Sequence, residues 1–155
     1  MRCLAILAFV LAACRTTAAP VRDLPRDATL SDGSAAFVPA ERYKGKALVL
    51  DFWAGWCADC KTMVPQLVRL ADGFAAQGLV VVGVDVGEKI ADATRYAHDL
   101  GITYPIAFDP DLAYSDRVGA AELPLLLVID RTGVIVHRSR HLDDAALAAI
   151  RKVLQ

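Results

Sequence analysis

The sequence predicts an α/β domain with a central mixed β-sheet flanked by helices on both faces. Three observations predict it. Apolar runs alternate with amphipathic stretches along the chain. The runs are continuous rather than alternating, as strands covered on both faces are. The last two are joined by a short glycine turn that makes them antiparallel, so the sheet is mixed.

Ala47 to Trp53 is the first central strand, apolar except for Asp51. From Cys60 to about Ala76, residues Met63, Leu67, Leu70, Ala71 and Phe74 recur at three- and four-residue spacing, the stripe of a helix packed on a sheet, which Gly78 stops. Leu79 to Val86 is a second buried strand, Ile90 to Leu100 a second helix ended by Gly101, and Tyr104 to Phe108 a short edge strand. Leu125 to Asp130, the turn Arg131-Thr132-Gly133 and Val134 to Arg138 form a hairpin, with glycine where the turn needs positive φ. In the final helix, Asp143 or Asp144 caps the start and Leu147, Ile150 and Leu154 form the buried stripe.

The 155 residues, 55% of them hydrophobic, suffice for one compact domain whose core needs no structural disulfide or metal. Seventeen basic and eighteen acidic residues give a net charge of -1 without clustering, which excludes an electrostatic footprint for nucleic acid. No repeat or low-complexity tract is present. Proteins or small thiols are the expected partners, and a monomer is the expected state.

The four cysteines are at 3, 14, 57 and 60. Arg2 is a basic n-region, and Cys3 to Ala13 is an uncharged apolar run, too short to cross a hydrocarbon core that needs about 20 residues. It ends in Leu11-Ala12-Ala13-Cys14, which resembles a bacterial lipobox, with cleavage before Cys14 and lipid on its sulfur. The expected organisation is a lipoprotein-type signal peptide at 1–13, a lipid-anchored flexible tether at 14–33 and the domain at 34–155. Cleavage at Thr17-Ala18-Ala19, releasing a soluble protein, is the alternative. Arg15 after the cysteine, rather than Asp, points to the outer membrane. Export places the chain in a disulfide-permissive compartment, and with Cys3 removed and Cys14 lipidated two thiols stay free.

Trp56-Cys57-Ala58-Asp59-Cys60 stands where the first strand runs out and the first helix begins. Unpaired N–H groups and the positive end of the dipole stabilise a thiolate there, so Cys57 can titrate below the roughly 8.5 of a free cysteine and is the expected nucleophile. Cys60, one turn on, is the expected resolving thiol. Asp59 opposes ionisation of the neighbouring sulfur, and the expectation is a reducing poise. A zinc site wants four ligands, and His98, His137 and His141 form no second cluster, so no metal is expected. A purely structural disulfide closing so small a loop would add little stability.

Four pieces now resemble the thioredoxin superfamily, and within it the TlpA/ResA-like extracytoplasmic reductases. They are Asp51 through Lys61; Pro65, five residues after Cys60; the Val80 to Tyr104 strand and helix with the connection to Pro105; and Leu123-Pro124 before the strand ending Ile129-Asp130-Arg131-Thr132-Gly133. The resemblance spans Asp32 to Gln155 and implies a thioredoxin fold. It implies that Pro124 is a cis proline facing the sulfurs and, with Leu123, offers backbone to a substrate chain as an added strand. Asp51 would correspond to thioredoxin's buried acid, taking the proton of the resolving thiol. An acid in an apolar strand is costly unless used, which favours the same role. The departures are Asp51 where TlpA-like domains often carry Asn, Met63 where they carry Glu, Ala58-Asp59 between the cysteines, and Leu125 after the proline.

The leading expectation is a protein-disulfide reductase of the cell envelope, cycling Cys57 and Cys60 as its redox-active disulfide without added cofactor. A membrane electron donor of DsbD type would recharge it. Trp56, beside the nucleophile, belongs to the apolar docking surface. The alternatives are an oxidase or isomerase of folding proteins, and a copper-binding thiol chaperone whose relatives space their cysteines one residue wider. A peroxidase is set aside, because thioredoxin-fold peroxidases carry Thr three residues before the nucleophile, where this chain has Ala54.

Overall fold

The computed structural model describes residues 22–155. The expected signal peptide, Cys3, Cys14 and the start of the tether lie outside the described residues. In chain order the elements are β1 Leu30–Ser31, β2 Ala36–Phe37, α1 Pro39–Arg42, β3 Ala47–Trp53, α2 Ala58–Phe74, β4 Leu79–Val86, α3 Ile90–Asp99, β5 Ile106–Asp109, α4 Ala113–Val118, β6 Leu125–Ile129, β7 Ile135–Ser139 and α5 Asp144–Leu154. The strands make one sheet in the order β2-β1-β5-β4-β3-β6-β7. β3 pairs parallel with β4 and antiparallel with β6, and β4 pairs parallel with β5. The sheet is therefore mixed, as expected.

All seven residues of β3 are buried, because both faces of the sheet are covered. Leu48, Leu50 and Phe52 join Leu24, Val84, Tyr114, Val118 and Leu127, so α4 and the N-terminal arm close one face. Ala47 and Val49 join Met63, Leu67, Leu70, Ala146 and Ile150 under α2 and α5 on the other. Trp53, on the same face as Val49, forms a smaller cluster with Ala54, Cys57, Cys60 and Ala97 of α3. This cluster carries the chemistry.

Helix ends follow the local signals. Asp143 caps α5, its Oδ1 accepting from the Ala146 N–H at 2.8 Å. After a 3₁₀ turn at Ala75–Gln77, Gly78 stops the α2 segment in the left-handed region at φ 88°.

Two readings are corrected. The stretch expected to be tether is partly built into the fold: Asp23 bridges Val134, the Leu24 N–H donates to the Gly133 carbonyl at 3.0 Å, and Leu24 and Leu30 are 5% and 2% exposed. The tether reading followed composition, and two-residue strands carry no readable period. Second, the strand expected at Tyr104 to Phe108 is Ile106–Asp109 and is interior, because β1 pairs along its outer side through Ser31 and Phe108. The short helices α1 and α4 have no counterpart in the sequence reading, being four and six residues long and too short to show a stripe.

Candidate active site

β3 delivers the chain to the site and α2 takes it away. After Trp53, the Cys57 N–H donates to the Ala54 carbonyl at 3.0 Å, turning the chain so that Cys57 becomes the N-cap of α2. Its Sγ accepts from the Cys60 N–H at 3.2 Å, the place an Asp or Ser oxygen takes at an ordinary helix start. Cys57 and Cys60 form a disulfide, with Cα atoms 5.3 Å apart. Both are buried, at 5% and 2% exposure. A thiolate on Cys57 would meet an N–H and the positive helix end, which is what a leaving and attacking sulfur requires.

The structure brings three more of the expected residues to the pair. Leu123 packs on the Trp53–Cys57–Cys60 cluster. The Leu123–Pro124 peptide bond is cis, and Pro124 lies one step beyond the Phe52–Leu125 pair, at the end of β3 from which the reactive loop departs. Trp56 is 70% exposed beside the disulfide. Together Trp56 and Leu123 wall an open groove of about 400 Å³ that runs past Val86 and Leu112 to Ala120 and Asp116. Cys14, the expected lipid-attachment residue, lies outside the described residues.

Asp51 is 1% exposed, on the face of β3 that Trp53 shares and α2 covers. Its Oδ2 accepts from the Tyr104 hydroxyl at 3.2 Å, while Oδ1 has no partner among the described residues. Burial pushes its pKa up to about 7, against the opposing pull of the Tyr104 hydrogen bond. Tyr104 in turn is pushed far above the usual phenol range by its own burial and by Asp51. Tyr104 was legible only as the start of a strand.

Sequence reasoning also missed a second pair of acids. Glu88, in the loop after β4, accepts from the Gly55 N–H at 2.6 Å through Oε2. Asp85, directly opposite Trp53 in the β3–β4 register, is fully buried. Burial first, then the Glu88 carboxyl, raises its pKa to about 8. The signal was present, since Asp85 interrupts the apolar run of β4 as Asp51 interrupts that of β3. Gly55 itself gives the Tyr96 ring room, because a Cβ there would lie 2.2 Å from Tyr96 Cδ2.

His98 stands exposed on α3, and among the described residues no group of three or more His, Cys, Asp or Glu could hold a metal ion. No helix of the described residues is long and apolar enough to cross a membrane.

Comparison with known proteins agrees with this geometry. A model of the AhpC/TSA family matches residues 21–138. The thiol-disulfide oxidoreductase ResA of Geobacillus thermodenitrificans is 30% identical over 119 residues, covering 77% of this chain and 68% of that protein. ResA of Bacillus subtilis is 29% identical over 107 residues, covering 69% and 60%. Among solved structures, one described as a thiol:disulfide interchange protein DsbE from Chlorobium tepidum superposes with a TM-score of 0.79 at 24% identity, over 88% of this chain and 100% of that one, and shows the shared thioredoxin fold. A reactive pair capping the helix that leaves the central strand, and a family match spanning that whole unit, lead to one assignment: the chain belongs to the AhpC/TSA family and, within it, to the ResA-like thiol-disulfide oxidoreductases.

Proposed function

We propose that the chain reduces disulfides of cell-envelope proteins through a Cys57/Cys60 dithiol–disulfide cycle. The Cys57 thiolate attacks one sulfur of a client disulfide, forming a mixed disulfide and releasing the first client thiolate. Cys60 gives its proton to Asp51 and attacks Cys57 Sγ, releasing the second client thiolate and closing the Cys57–Cys60 bond. Two electrons pass to the client, and a membrane donor of DsbD type returns them. The pair itself carries the electrons, with no added cofactor. A carboxyl with a pKa of about 7 is suited to taking a proton and handing it back near neutrality. Trp56, Leu123 and Pro124 form the edge on which the client chain lies.

The observation that carries this reading is the position of Cys57 as N-cap of α2, bonded to Cys60, with the Cys60 N–H at its sulfur. The apolar run that ends in Leu11-Ala12-Ala13-Cys14 supports an extracytoplasmic chain anchored by lipid on Cys14, with Arg15 favouring the outer membrane. Trapping tests the reading. Cys60→Ala should leave Cys57 in stalled mixed disulfides with envelope proteins that a reductant releases, and Cys57→Ala should trap none. No trapped species from cells expressing folded Cys60→Ala would overturn it. An oxidase or isomerase of the same fold is the second reading, and a reduction potential near the DsbA-like value of about -120 mV would favour it. Copper binding has no ligand set among the described residues. Ala54, buried without a hydroxyl ahead of Cys57, gives a peroxidase no support.

A further inference from the structure

Glu88 and Asp85 are not used by the cycle above, yet they sit against its loop. Gly55 lies two residues before Cys57, in the turn that sets where the sulfur points. Its N–H has one acceptor, Glu88 Oε2 at 2.6 Å, reaching across 33 positions of sequence. Beneath Glu88, Asp85 is 0% exposed, and neither of its carboxyl oxygens has a hydrogen-bond partner of ordinary geometry among the described residues. A buried carboxylate in that state is strongly disfavoured. Two acids so close, one exposed enough to reach the loop and one sealed below it, form a single electrostatic unit.

We propose that Glu88, backed by the buried carboxyl of Asp85, is a positioning residue for Cys57: it anchors the strand-to-helix loop through the Gly55 amide and sets the charge against which the thiolate forms. This rests on the assignment of Cys57 as the nucleophile. Anchoring acts through geometry: the Cys57 end of the loop is tied by its hydrogen bond to Ala54 and its bonds to α2, whereas the Gly55 amide in the middle is held by Glu88, with Tyr96 packed on Gly55. Charge acts in the opposite sense to the helix dipole. A carboxylate at the mouth of α2 disfavours a second negative charge on Cys57, which stabilises the disulfide relative to the dithiol and makes the pair more reducing.

The titratable and charged groups on the strands flanking Asp85 are Asp51 on β3, which the Tyr104 hydroxyl holds, and Asp109 on β5, whose charge acts on Asp85. Lys89, and Tyr96 with Arg95 5.2 Å above its ring, come from the start and body of α3, and Cys57, Asp59 and Cys60 from α2. Asp109 is already committed, its oxygens accepting from the Tyr114 and Ser115 N–H groups at 3.1 and 2.6 Å. Burial, and then the Glu88 carboxyl, hold the Asp85 proton well above the usual carboxylate range.

The experiment is the pH profile of alkylation of the reduced full chain by a neutral reagent, with the labelled cysteine identified by mass spectrometry and folding checked by thermal melting. Glu88→Gln keeps an acceptor for Gly55 and removes the charge. Its Cys57 should alkylate about threefold faster or more near pH 6, with the profile displaced to lower pH. Asp85→Asn should remove an inflection, lying above the usual carboxylate range, that the wild-type profile shows, while leaving Cys57 the labelled residue. A merely structural role moves melting temperature and neither profile. Glu88→Gln and Asp85→Asn profiles that superpose on wild type within about twofold would overturn the inference. Labelling of Cys60 before Cys57 in the wild type would instead overturn the nucleophile assignment beneath it.

Discussion

Tyr104 donates its phenolic hydrogen to Oδ2 of Asp51 across 3.2 Å, joining the connection before β5 to the middle of β3. Among the described residues it is the one hydrogen bond to a carboxyl that is otherwise sealed in apolar surroundings. The folded chain holds the Asp51 proton up to about pH 7, whereas an unfolded Asp releases it near 3.9. Between those values the unfolded chain binds fewer protons, so stability falls as pH rises from about 4 to about 7 and then levels. Asp51→Asn should therefore unfold at higher urea than wild type at about pH 8, by up to about 4 kcal/mol, and at nearly the same urea at about pH 4. Tyr104→Phe removes the contact that favours the carboxylate and should extend the falling limb to higher pH. Equal pH dependence of wild type and Asp51→Asn would refute the assignment.

Gly55→Ala places a methyl where the Tyr96 ring already lies. We expect a loss of roughly 1–3 kcal/mol from overpacking. Cys57 should also exchange more slowly, since the loop must shift to make room. Adding Tyr96→Ala to Gly55→Ala should recover part of both losses, and a double-mutant cycle read by denaturation and by thiol exchange measures the coupling.

Leu24 tests whether the N-terminal arm is part of the fold. Its side chain is 5% exposed and packs in the core closed by Tyr114 and Val118. Leu24→Ala should cost about 2–5 kcal/mol. A loose tether would give a change within about 0.5 kcal/mol.

Trp56 stands 70% exposed next to a buried disulfide. Trp56→Ala should leave stability within about 0.5 kcal/mol of wild type. Reduction of a disulfide-bonded protein client should slow through a raised KM, while exchange with a small dithiol stays near the wild-type rate. A parallel fall in both rates would show that Trp56 acts on the sulfur rather than on the client.

Much of the site was legible because its signals are local. Cys57 and Cys60 follow an apolar strand and open an amphipathic helix, and that order alone places a sulfur at a helix N-terminus. Asp51 was legible as a charge in an apolar run. Asp85 carries the same signal one strand over and was passed by, because no cysteine motif draws attention to it. Leu24 and Leu30 were lost for a different reason: in a stretch of Ala, Thr, Pro and Asp, single apolar residues have no period to reveal what they pack against.

What the sequence by itself determined is the order of the long elements and the chemistry of the reactive pair. These depend on spacing over a few residues, which the backbone converts directly into faces and helix ends. Only the tertiary structure decided which groups surround the pair. Tyr104 reaches Asp51 across 53 positions and Glu88 reaches Gly55 across 33, and β1 seals β5 through a two-residue strand. Contacts of that range follow from strand register and crossover, where no local pattern records which side chains will meet.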